Sequence, residues 1–144
     1  MLSFTALYAI RAGFDLAYHG DGGVAGVREV AHRQEIPAAY AEQVLRKMRR
    51  AGLVSVRRGR RGGYCLALPP RDVSLKALVE AVGADPFRLP AGLREGEFCA
   101  SEVGRALSQA AEVFARETLA DLCERAHKQG LPKGGGGAPP MFYI

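Results

Sequence analysis

AAYAEQVLRKMRRAGLVSVRRGRRGGYCLALPP, residues 38–70, is the stretch whose reading decides the fold. Its first part is amphipathic at helical spacing. Tyr40, Val44 and Met48 fall at i, i+4 and i+8 with Leu45 beside them, and this stripe is the expected core contact. Glu42, Gln43, Arg46, Lys47, Arg49 and Arg50 take the other faces, so a helix is expected near 38–50. Pro37 is placed to open it, where a missing N–H costs nothing, and Gly52 to stop it. A hairpin follows. Leu53–Arg57 is β-prone with Val54 and Val56 on one side, Arg58–Gly63 is the turn, and Tyr64, Leu66 and Leu68 alternate with Cys65 and Ala67 on the return.

Outward from this core motif, residues 3–19 read as a helix with Leu7, Ile10, Phe14 and Ala17 inward and Ala6 and Leu16 flanking. Its pattern also carries Arg11 and Asp15. Gly20–Gly23 breaks it, and Val27, Val30 and Ala31 mark a second, shorter helix capped only by Gly26. Gln34–Pro37 is a tight turn. Two short helices joined by such a turn, the second amphipathic and basic, fit a helix-turn-helix. Downstream, Ser74 can cap a helix over 75–82, with Leu75, Leu78, Val79 and Val82 facing inward. Residues 83–99 read as a loop. One long helix is expected over 101–128, with a stripe of Val103, Leu107, Ala110, Phe114 and Leu122. The tail GLPKGGGGAPP reads as disordered. The expected fold class is therefore mainly α with a small β-hairpin wing.

Charge sharpens the reading. The chain of 144 residues has a formal net charge of +5, which favours an anionic partner. Arg46, Lys47, Arg49, Arg50, Arg57, Arg58, Arg60 and Arg61 fall in one span that contains no acid. No stretch approaches the roughly 20 apolar residues of a membrane helix, and MLSFTALYAIRAGFDLAY reads as structure rather than a leader. Cys65, Cys99 and Cys123 are odd in number and widely spaced, which suits a reducing cytoplasm rather than a disulfide framework. No Ser-His-Asp constellation, Walker loop or nucleotide fingerprint occurs, so an enzyme is not expected.

A major groove accepts one α-helix, whose exposed face reaches base edges. Glu42, Gln43 and Arg46 offer that chemistry: Gln pairs bidentately with adenine, Glu accepts from cytosine N4, and Arg prefers guanine. Glu42 reads equally as an i, i+4 partner of Arg46. Arg49 and Arg50 read as phosphate anchors or helix-dipole partners. A hairpin tip flanking the groove can place Arg58, Arg60 or Arg61 on phosphates or in a narrow minor groove, with Gly59, Gly62 and Gly63 supplying the backbone freedom. Cys99 reads either as a redox-reactive thiol just before a helix or as a passive small residue.

The run from residue 38 to 82, with YAIRAGFDLA at 8–17 and ETLADL at 117–122, resembles the Rrf-type winged-helix repressor family, the group of IscR, NsrR and CymR. The resemblance covers about residues 1–128 and is most specific at Arg58-Gly59 followed by Gly62-Gly63-Tyr64. It implies a cytoplasmic transcription regulator, a homodimer joined by the long helix, on a near-palindromic operator of double-stranded DNA. It places Tyr40, Glu42 and Gln43 on the recognition helix and Arg58 and Arg60 on the wing; Arg46, Arg50 and Arg61 are expected as further contacts from their own charge and position. The implied organisation is a DNA-binding domain over 1–83, a loop over 84–100, a dimerisation helix over 101–129 and a disordered tail over 130–144. Many members hold an iron–sulfur cluster on three cysteines in the loop and one further ligand. Here the loop offers only Cys99, Glu102 stands where one relative has His, and Leu7 and Arg11 stand where others have an acid or His. On one continuous helix Cys123 would lie about 36 Å away. No cofactor and no metal ligand is therefore expected. A cluster with atypical ligands is the alternative, and sensing by Cys99, a small molecule or a partner protein stays open. A second class of reading is a winged-helix module that docks on protein.

Overall fold

The computed structural model describes residues 1–19 and 23–134. Six helices and one hairpin follow in the order α1 (Phe4–Tyr18), α2 (Val27–Gln34), α3 (Ala38–Arg50), β1 (Val54–Arg57), β2 (Gly63–Leu66), α4 (Leu75–Ala81), α5 (Phe98–Arg116) and α6 (Leu119–Lys128). This is a winged helix-turn-helix with two further helices. Ten of the positions in the unassigned tail, residues 135–144, lie outside the described residues, so the expectation of disorder there is not addressed by the structure.

α1 is the hub. Ser3 caps it through its hydroxyl, which accepts from the Ala6 N–H at 3.1 Å. It touches α2, α3, α4, α6 and β2. Its most buried line is not the large apolar one expected. Ala6, Ala9, Ala12, Gly13 and Leu16 are buried, whereas Leu7, Ile10, Phe14 and Ala17 are only half-buried. The reason is steric: a helix wrapped on several sides meets its neighbours most closely where its side chains are smallest. At Gly13 a Cβ would sit 2.9 Å from Leu78 Cδ2, so glycine is what lets α4 come that near.

The polar residue inside that pattern has a definite partner. Asp15 is 0% exposed and accepts from Arg33 Nε at 2.9 Å, Arg33 Nη2 at 2.7 Å and Gln34 Nε2 at 3.1 Å. Arg33 also pairs with Glu29 at 3.2 Å. This bidentate arrangement satisfies a charge that would otherwise be costly to bury, and it ties α1 to the last turn of α2. The turn into α3 begins there. Glu35 takes left-handed backbone (φ 51°), and the Ile36 N–H donates to Ala31 O at 2.9 Å, which closes the end of α2 before Pro37 starts α3.

α3 runs over the residues expected, but its buried line is Ala41, Val44, Leu45 and Met48. Tyr40 is not in the core stripe. It stands at the first turn, 49% exposed, because the buried arc is centred one position further round.

Two helix boundaries differ from the sequence reading. α5 starts at Phe98 because Glu97 caps it, its carboxylate accepting from the N–H groups of Cys99 and Ala100. Cys99 is thus inside the first turn. Glu102 pairs with Arg105 at 3.0 Å. The long helix expected over 101–128 is two helices. Glu117 and Thr118 are extended, and Thr118 opens α6 with a reciprocal capping box to Asp121. The break is held from outside: Leu75 N–H donates to Glu117 O and Leu119 N–H to Val73 O, both at 2.9 Å. It lets Leu119 turn fully into the core. The straight-helix distance from Cys99 to Cys123 does not apply.

Removing one partner of a buried ion pair leaves the other charge stranded. Asp15→Asn is expected to cost about 3–5 kcal/mol, read by urea unfolding. His19 follows from the same cluster. Burial lowers its pKa from the ordinary 6.5, Arg33 and Lys133 push the same way, and Asp15 opposes. The unfolded chain therefore takes up the proton first, so stability present above pH 6.5 is lost as pH falls below it. Thermal melts between pH 7.5 and 5.5 should show this loss in the wild type and a smaller one in His19→Gln.

Candidate nucleic-acid interface

The exposed face of α3 follows from the buried one. With Ala41, Val44, Leu45 and Met48 buried, Ala39, Glu42, Gln43, Arg46 and Arg50 are exposed together on the opposite side. α3 packs against both α1 and α2. Its orientation is therefore set by the Asp15–Arg33 cluster one turn upstream. Glu42 and Arg46 pair at 3.0 Å on the open surface, each side chain 57% exposed. Such a pair is worth little in water and separates readily. Both readings of Glu42 are therefore compatible with the same rotamer set.

The wing is more firmly held than a free hairpin. β1 and β2 pair antiparallel with Val54 opposite Leu66 and Val56 opposite Tyr64. The segment before α2 adds a third rung: Ala25 N–H donates to Tyr64 O at 2.9 Å and Tyr64 N–H to Ala25 O at 2.8 Å. Gly63 is needed there, because any Cβ would run into the Ala25 carbonyl. The strands are shorter than expected on the return side, where Ala67 and Leu68 lie beyond β2. Tyr64 and Leu66 pack against the core. On the other face the Ser55 hydroxyl and the Cys65 thiol lie 3.2 Å apart.

Between the strands, Gly59 adopts φ +122°, which carries Arg58 and Arg60 around the tip. Arg57, Arg58, Arg60 and Arg61 are exposed, and none pairs with an acid among the described residues. Together with Gly23 and Val24 they line one open hollow of about 480 Å³. Uncompensated guanidinium groups around a concavity form a receptor for phosphate-sized anions. The structure thus brings the basic residues expected from the sequence onto two neighbouring elements. Sequence reading missed the Ala25 rung and the Asp15–Arg33 cluster, since neither partner is signalled locally.

The segment between α4 and α5 carries no cysteine before Cys99. It is pinned by apolar contacts instead. Phe87 stands edge-on to Phe114 with ring centroids 4.9 Å apart, and Leu89 lies where a Cβ on Gly104 would meet it at 3.3 Å. Among the described residues no three of His, Cys, Asp and Glu are grouped to hold a metal ion. Cys99 is exposed, with its N–H given to Glu97, and Cys123 lies on α6, where burial pushes its thiol pKa up. This donor set does not fit an iron–sulfur cluster, which needs about four ligands, usually thiolates, in one small site.

Comparison with known proteins places this architecture. Residues 2–125 match the Rrf2 family, described as "Iron-dependent Transcriptional regulator". IscR of Erwinia tasmaniensis, named an HTH-type transcriptional regulator, is 33% identical over 121 residues, covering 80% of this chain and 73% of that protein. A Synechocystis sp. protein that carries an HTH-type transcriptional-regulator name is 44% identical over 82 residues, so the match spans 56% of each chain. Among solved structures, T. potens IscR superposes with a TM-score of 0.79 at 29% identity, covering 93% of both chains. CymR, the global cysteine regulator of B. subtilis, has a TM-score of 0.78 at 25% identity, covering 87% of this chain and 97% of that one. By sequence and by architecture, the chain belongs to the Rrf2 family of DNA-binding transcription regulators, which are not enzymes.

Proposed function

We propose that the protein is a homodimeric repressor that reads a near-palindromic operator and responds to its signal without a normal iron–sulfur cluster. The observation that carries this reading is the pairing of an exposed polar helix face with a ring of unpaired arginines on a wing anchored to the same domain. Glu42 and Gln43 are the base readers. Arg46 exchanges Glu42 for guanine or phosphate. Arg50 anchors the backbone, and Tyr40 flanks the reading face. Arg58, Arg60 and Arg61 grip phosphates or enter the minor groove beside it.

Dimerisation through α5 is supported by what that helix leaves uncovered. None of its residues is buried, and Phe98 is 75%, Val103 49% and Val113 48% exposed. Leu107, Ala110 and Phe114 are half-buried, whereas Val103 on the same stripe and Val113 beside it stay open and offer apolar surface to a second copy. Two-fold symmetry lets one short helix per subunit read each half-site. Location in the cytoplasm follows from action on DNA, and no described helix is long and apolar enough to cross a membrane. Signal reception falls to Cys99, to a small ligand or to a partner protein at the α4–α5 segment. The donor count supports cluster-free operation, because Cys99 is the one cysteine over residues 84–100.

Selection from random duplexes should return a palindrome whose half-sites lie about 10 base pairs apart or a multiple of that. Affinity for it should fall steeply with salt, with a log–log slope of about −0.9 per neutralised phosphate. Arg58→Ala with Arg60→Ala should leave folding intact, weaken binding at physiological salt and make the slope shallower by about two. Salt-insensitive binding, or none on any duplex, would point instead to a protein-docking module. Protein purified without oxygen should be colourless, and visible absorption with stoichiometric iron and sulfide would refute the cluster-free reading.

A further inference from the structure

α1 and α3 are joined by a run of aromatic rings that leads from the edge of the core to the surface. Phe4 and Tyr8 have ring centroids 6.1 Å apart, and Tyr8 and Tyr40 5.9 Å apart. Both separations lie in the range where aromatic pairs attract. Tyr8 is itself held from the side: the Arg11 guanidinium sits 5.9 Å from its ring centroid, and Arg11 Nη1 reaches Gln34 O at 3.5 Å. Gln34 belongs to the Asp15 cluster. Tyr8 is half-buried, whereas Tyr40 and Phe4 are exposed. The chain of contacts runs from the rigid centre of the domain outward and ends on a ring with one free face.

That ring borders the reading face of α3. Tyr40 precedes Gln43 by three residues, so the two side chains are neighbours on the helix surface. The exposed residues of that face are Ala39 and the polar or charged Glu42, Gln43, Arg46 and Arg50. The polar side chains read base edges by hydrogen bonding, and only the short Ala39 methyl is offered to the one apolar mark in the major groove, the thymine methyl group. The flat ring of Tyr40 at the border adds a larger apolar contact. Resting on the proposed DNA-reading face, we propose that Tyr40 is a thymine-methyl reader and that Tyr8, fixed by Arg11, is the positioning residue that sets its ring. The occupant is duplex DNA because Tyr40 is continuous with Glu42 and Gln43.

The test uses the full chain and the selected operator, with thymines in one half-site replaced singly by uracil, which lacks only the methyl. Wild type should bind about fourfold more weakly at one such position, the worth of one buried methyl group. Tyr40→Ala should bind thymine and uracil duplexes equally. Tyr8→Leu should lose the discrimination with unchanged melting temperature and salt slope, and Tyr8→Phe, which keeps the ring, should retain it. If Tyr8→Leu melts early, Arg11→Met decides, since it frees the ring without removing it and should also reduce the thymine–uracil ratio. Arg58→Ala should weaken both duplexes equally and leave the ratio unchanged. Equal binding of thymine and uracil by the wild type at every position overturns the proposal while leaving the DNA-reading face intact. Full discrimination in Tyr8→Leu and Arg11→Met overturns the positioning role. Absence of binding to any duplex overturns both this proposal and the reading beneath it.

Discussion

The Asp15 carboxylate, fully buried and gripped by Arg33 and Gln34, is the constraint on which the helix-turn-helix depends. A charge placed inside an apolar helix face has one low-energy solution, a fixed partner of opposite charge with all lone pairs met. Two parallel N–H···O bonds define direction as well as distance. α2 is thereby locked to α1, and the left-handed Glu35 and the following Pro37 hand that orientation to α3. The same cluster reaches the end of α1. His19 Nε2 lies 3.8 Å from Asp15 Oδ1, and its Nδ1 accepts from the Gly134 N–H at 2.6 Å. One ionic centre thus organises both the helix-turn-helix and the docking of residues 131–134.

The wing obeys a different constraint. A two-stranded hairpin is marginal by itself. Here the Ala25–Tyr64 rung and the packing of Tyr64 and Leu66 make it part of the domain. A hairpin fixed at its base and carrying exposed arginine side chains is suited to a polyanion, because it holds its register while presenting several guanidinium groups.

The C-terminal third is built on contrast. α6 sends Leu119 fully into the core, whereas α5 buries none of its residues. The joint between them is hydrogen-bonded to the residues that begin α4. The joint thus ties the end of α5 to the start of α4, and α4 packs on α1 and α3. Between α4 and α5, Phe87 and Leu89 fold onto α5, and these apolar contacts give the segment its order.

Much of this was legible in the linear pattern. Helical spacing located α1, α2, α3 and α4 to within a residue or two, because each carries a local periodicity with Ser, Gly or Pro at its start. The basic patch of the helix and the arginine-glycine hairpin was legible for the same reason: its charges lie close together in the chain, and solvent exposure needs no partner. Thr118-x-x-Asp121 is a local capping signal that marks the break between α5 and α6, yet the apolar stripe runs through it, and the stripe alone reads as one helix. What tertiary structure decided was every choice that depends on residues far apart in sequence. It selected Arg33 as the partner of Asp15, put small residues rather than Leu7 and Ile10 at the centre of α1, drew Tyr40 out of the core stripe toward Tyr8, and made Ala25 the wing's third rung. Sequence fixes periodicity and charge because those are properties of neighbours along the chain, whereas partner and face are settled only when several elements compete for the same space.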